Sequence, residues 1–104
     1  MSKKSKIVIW DTDAGRAMEI SRSLGLAMRT TGFRHDLEIM SEPPLVARAG
    51  LNGRLPVLEV DGMLWTWKVG EGIPEEAAVA LLRRLEEQHA SREAGQKTAK
   101  ENGA

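Results

Sequence analysis

The stretch Arg54-Leu55-Pro56-Val57-Leu58-Glu59-Val60-Asp61-Gly62 constrains the fold more than any other part of the chain. A proline opens an apolar, β-branched run, and Asp61-Gly62 then turns the chain into Met63-Leu64-Trp65-Thr66-Trp67. Asp-Gly between two such runs is a strong hairpin signal, because both central positions of the favoured two-residue turn need φ above zero. Proline is tolerated at the first residue of a strand, where its missing N–H breaks no ladder bond. Residues 55–60 and 63–68 are therefore expected to pair antiparallel, with Pro56 at the mouth of the hairpin.

The elements before and after this hairpin follow from changes of period. Lys6 to Trp10 is an apolar run of strand length, expected to be covered on both faces. After Asp11-Thr12-Asp13 the period becomes helical: Ala17, Ile20, Leu24, Ala27, Met28 and Thr31 form one stripe. Asp13 or Thr12 suits the N-cap and Gly32 the C-terminal stop. Gly25, costly inside a helix, suggests a close packing neighbour. Residues 34–40 read as a second strand with Leu37 and Ile39 on one side. Pro43-Pro44 opens a short helix whose apolar side is Leu45, Val46 and Ala49. A last helix begins at Pro74, with Glu75 and Glu76 at its positive dipole end and Ala78, Leu81, Leu82 and Leu85 as its buried stripe. It is expected to end near residue 90. The order is β-α-β-α-β-β-α: an α/β domain over residues 6–89 with a four-stranded mixed sheet flanked by helices. The tails, 1–5 and 90–104, read as flexible and disordered.

Composition excludes several classes of function. Fifteen basic and fifteen acidic residues cancel, so no bulk field points to nucleic acid or to a membrane surface. No apolar run is long enough to span a bilayer, and Ile7-Val8-Ile9-Trp10 is too short for a signal sequence, so a cytoplasmic location is expected. Cysteine is absent, which rules out disulfides and thiolate metal sites. Asp11 and Asp13 offer too few oxygens for a calcium-type loop, and capping accounts for them better. Gly15 and Arg16 at a helix start attract anions in principle, but two aspartates in the same loop oppose it. His35 and His89 have no metal-ligand spacing and read as surface histidines. Neither metal nor cofactor is expected. Trp65 and Trp67, two apart on a strand, share a face that Met63 and Val69 extend. That face lies under the last helix or stays partly open as a partner surface. Trp10 is either core or the rim of a groove.

The element order, the helix opening directly after the first strand, and Leu55-Pro56-Val57-Leu58-Glu59-Val60-Asp61-Gly62 together resemble the thioredoxin fold. More narrowly, the chain is similar to the small thioredoxin/glutaredoxin-like proteins of archaea and bacteria, over about residues 6–88. The resemblance implies a cis bond before Pro56 and places Pro56 beside the family's active site, next to Ala14. There the family carries Cys-X-X-Cys, and this chain reads Ala14-Gly15-Arg16-Ala17. Exchange needs a thiolate activated at the helix start and a second thiol to resolve the mixed disulfide. Alanine does neither, so thiol–disulfide exchange by this chain is excluded chemically.

Three readings follow. In the first, a redox-inactive thioredoxin-like domain binds a protein or peptide partner, as a monomer or weak dimer, through a groove formed by Trp10, Thr12, Asp13, Ala14, Gly15, Arg16, Leu55 and Pro56. The backbone at Leu55 would pair with an extended segment of that partner. In the second, the chain is a thiol–disulfide oxidoreductase whose two cysteines were replaced by Ala14 and Ala17. The third is an enzyme with non-thiol chemistry around Asp11, Asp13 and Arg16, for which no base, nucleophile and orienting group stand at convincing spacing.

Overall fold

The computed structural model describes residues 6–102, with side chains through residue 88. Strand β1 (Lys6–Trp10) leads into helix α1 (Ala14–Thr31), then β2 (Asp36–Met40), α2 (Pro43–Arg48), the hairpin β3 (Val57–Val60) and β4 (Met63–Thr66), and α3 (Glu75–Asn102). The chain is an α/β domain built on one four-stranded mixed sheet, in the order β2-β1-β3-β4. β1 runs parallel to β2 and antiparallel to β3, and β3 pairs antiparallel with β4.

Local chemistry accounts for each boundary. The Asp13 side chain accepts the Arg16 N–H at 2.9 Å and caps α1. Gly32 ends the helix in the left-handed region, at φ 79°, with its N–H on the Met28 carbonyl. Asp61 and Gly62 both take positive φ, 50° and 81°, as the two-residue turn requires. The paired part of the hairpin is shorter than expected, four residues on each side. The strands part beyond the Val57–Thr66 pair, where Pro56 has no N–H to donate. The Leu55 carbonyl instead accepts the Gly70 N–H at 2.9 Å, closing the loop after β4.

Two clusters hold the sheet. On one face α1 and α3 pack over Ile7, Ile9, Leu58 and Val60, contributing Ala17, Ile20, Leu24, Ala27, Ala78 and Leu82, all buried. On the other face Val46 from α2 joins Leu51, Leu55 and Val57, with the Trp10 ring against them. This second cover is partial. Val8 and Trp10 are only half-buried and Leu64 is 52% exposed, so β1 is not enclosed on both faces as its apolar run suggests.

The last helix also departs from expectation. It continues past residue 90 to Asn102, through a stretch read from composition as disordered. That stretch is rich in alanine, glutamate and lysine, all good helix formers, so propensity supports a helix that no apolar stripe demands. Residues 1–5, the other expected tail, lie outside the described residues. At the start of α3, Pro74 sits one position before the helix, its carbonyl accepting the Ala78 N–H at 3.0 Å.

Gly25 has no neighbour that explains it. A Cβ built there meets nothing within 4 Å. Gly25→Ala is therefore expected to stabilise the domain by about 0.5–1 kcal/mol, by removing unfolded-state freedom without a clash. Asp13→Ala, which removes the cap of the same helix, is expected to cost about 1 kcal/mol. Urea titrations of the two variants, read by helical circular dichroism, should move in opposite directions.

Candidate functional site

The junction of β1 and α1 is organised around Asp11, which is wholly buried. The ladder carries one residue past β1, the Asp11 N–H donating to the Met40 carbonyl at 3.1 Å. This turns the Asp11 carboxylate inward. Its Oδ2 accepts the Arg16 Nε–H at 2.5 Å, and its Oδ1 accepts both the Arg16 Nη2–H at 2.7 Å and the Asp13 N–H at 3.0 Å. Arg16 thus presents the fork side of its guanidinium to both carboxylate oxygens, the strongest geometry for such a pair. The hydrogen bond to Asp11 raises the Arg16 pKa above its ordinary value. The Arg16 stem lies beside the loop at Gly72, and its Nη1 lies beside Gly70.

The register brings this junction next to Leu55-Pro56. Trp10 pairs with Val57 across the antiparallel strands, so the residue after Trp10 and the residue before Val57 lie side by side at one end of the sheet. The Leu55–Pro56 bond is cis. Of the residues expected to form a groove there, Thr12, Asp13, Ala14 and Gly15 are exposed, Trp10 and Arg16 are half-buried, and Leu55 and Pro56 are buried. The Leu55 carbonyl is occupied by Gly70, while the Leu55 N–H has no partner among the described residues. Trp10 is fixed by a 2.9 Å hydrogen bond from its Nε1 to Glu59 Oε1.

Asp11, Asp13 and Arg16 do come together, but as an ion pair that occupies both Asp11 oxygens and a helix cap that uses one oxygen of Asp13. Among the described residues no group of three or more histidine, aspartate or glutamate side chains is placed to hold a metal ion. His35, read as a surface histidine, is half-buried, and both ring nitrogens are shut off from water without a partner. His89 falls outside the residues whose side chains are described.

A second region lies between β4 and α3. Trp65 and Trp67 are half-buried against the core beneath α3, whereas Met63 and Val69, expected to extend their stripe, are exposed. Trp67 donates its Nε1–H to the Gly72 carbonyl at 3.1 Å. A cavity of about 390 Å³ opens beside the two rings, bounded by Leu58, Ala77, Leu81 and Arg84 among others. The Arg84 guanidinium stands 5.8 Å from the centre of the Trp65 ring, and the Lys68 ammonium the same distance from that of Trp67.

No family model and no curated protein matches the chain. Among the described residues no helix is long and apolar enough to cross a membrane.

The Asp11–Arg16 pair is hidden in the sequence because capping suits both aspartates of the loop. The available signal was an acid ending an apolar strand and a base on the first helical turn that follows. The Arg84–Trp65 contact had no such signal, since it joins α3 to β4 only through the tertiary fold.

Proposed function

We propose that the chain is a thioredoxin-like domain without a redox centre, acting as a binding or regulatory module for a protein partner. The observation that carries this reading is the Trp10–Val57 register, by which the β1–α1 junction and Leu55-Pro56 share one end of the sheet. The strand order, the helix starting three residues after β1 and the hairpin placed after Pro56 agree with that assignment. Where the redox family keeps its thiols, this chain has two alanines and a closed ion pair, a rigid and unreactive surface. The exposed run Thr12 to Gly15 and the unpartnered Leu55 N–H are what it offers an extended segment. Only the donor is available, because Gly70 holds the Leu55 carbonyl.

The test is affinity capture from the source cell with three baits. The native domain should retain a partner that both Leu55→Pro and Ala14→Trp lose, the first removing the donor and the second crowding the exposed rim. Circular dichroism of each bait guards against misfolding. A partner retained equally by both folded variants would sink the proposal.

One observation favours the oxidoreductase with replaced cysteines as a second reading. Ala14 is exposed and Ala17, three positions on, is buried, an arrangement that suits an attacking and a resolving thiol. The native chain is expected to show no insulin reduction with dithiothreitol above a heat-killed control. The Ala14→Cys/Ala17→Cys variant is expected to turn over if the second reading holds, and to stay at background if the surface serves binding alone.

A further inference from the structure

We propose that the cavity between β4 and α3 is a binding site for a small amphipathic anion, a carboxylic acid with an aryl or medium-chain alkyl body. This inference does not depend on the partner surface at the other region. The cavity measures about 390 Å³, within the range of small-molecule sites. Its floor is Leu58, and its walls are the Trp65 and Trp67 rings. On the helix side the space exists because α3 places alanines at 77 and 80, where larger side chains would fill it. An apolar body entering there exchanges water for apolar contact.

Charge selects the sign of the ligand. Arg84, one helical turn beyond Ala80, is the one charged residue lining the cavity, and no acidic residue lines it. Among the described residues no carboxylate pairs with Arg84. Its guanidinium over the Trp65 ring leaves fork donors for a planar two-oxygen acceptor, which a carboxylate matches and a neutral alcohol does not. Lys68, over Trp67, adds a second positive charge nearby. The Trp65 indole N–H supplies another indication. It is shut off from water and has no acceptor among the described residues. Turning it toward a carboxylate oxygen gains a hydrogen bond that the chain by itself lacks.

Octanoate and octanol form a matched pair of probes that differ in the head group. The three tryptophans give three indole N–H signals in a proton–nitrogen correlation spectrum, and Trp10 serves as the internal control. Octanoate is expected to shift the Trp65 and Trp67 signals and leave that of Trp10 in place. Octanol should bind at least tenfold more weakly. Arg84→Gln should weaken octanoate at least tenfold without changing octanol, and Ala80→Leu, at an exposed helical position that tolerates leucine, should weaken both. Equal affinity for the two probes, an unchanged octanoate affinity in Arg84→Gln, or a shift confined to Trp10 would overturn the proposal. So would concentration-dependent broadening of Trp65 and Trp67 without ligand, which would assign the face to a second copy of the chain.

Discussion

Arg16→Met is expected to destabilise the domain by about 3–5 kcal/mol, the usual cost of removing one partner from a buried ion pair. Methionine keeps most of the stem that lies beside Gly72, so the loss reports chiefly on charge rather than packing. What remains is a carboxylate with no exposure to solvent. Oδ2 loses its donor, and Oδ1 keeps only the Asp13 N–H. Asp11→Asn in the same chain should recover most of the loss, because a neutral amide pays a far smaller desolvation penalty than an unpaired carboxylate. The reverse single change, Asp11→Ala, should cost less than Arg16→Met, since Arg16 is 20% exposed and can turn toward water. Linkage predicts no help from pH. A raised Arg16 pKa contributes stability that is fully present below its ordinary titration range and is lost only on passing through it, in strong alkali. Urea midpoints of Arg16→Met, Asp11→Asn and the double variant complete the cycle. A cost below 1 kcal/mol for Arg16→Met would mean that water reaches Asp11.

This ion pair also marks where the sequence stops being informative. The boundaries of α1 were readable to within one residue because each end has a local chemical reason, Asp13 or Thr12 at the start, of which the structure uses Asp13, and Gly32 at the end. The turn at Asp61-Gly62 was readable for the same cause, positive φ at two adjacent positions. Parallel pairing of β1 with β2 follows from connectivity, since a helical crossover joins them. What could not be read depends on which elements meet. Nothing in Arg84 or Trp65 taken singly announces that α3 crosses β4 there. The partial cover of the second sheet face was hidden because half-buried and enclosed strands give similar apolar runs. The length of α3 was misjudged for another reason. Beyond residue 90 the sequence has helix propensity without an apolar stripe, and only the stripe marks a packed helix.

Leu82→Ala is expected to cost about 3–5 kcal/mol, in the upper part of the range for leucine truncation. Among the described residues, α3 contributes two wholly buried side chains, Ala78 and Leu82, one turn apart. Leucine is the only large one of the two, so it carries most of the anchoring of α3 to the sheet. It belongs to the same buried cluster as Ile20, Leu24, Ile9 and Leu58, from one helix and two central strands. Strands paired on both sides cannot shift to fill a void, so the cavity left by truncation should stay largely open, the condition for a high cost. Leu81, by contrast, borders the cavity beside Trp65, and Leu81→Ala should cost about 1–2 kcal/mol because it widens a space that already exists. Tryptophan fluorescence and far-ultraviolet circular dichroism should report coincident urea transitions for Leu82→Ala if α3 unfolds with the rest of the domain. A fluorescence change that precedes loss of helix would show that α3 lifts from β4 as a separate unit, uncovering Trp65 and Trp67. In that case the anion site would form only when the helix is docked, and octanoate should bring the two transitions back together by binding the docked state.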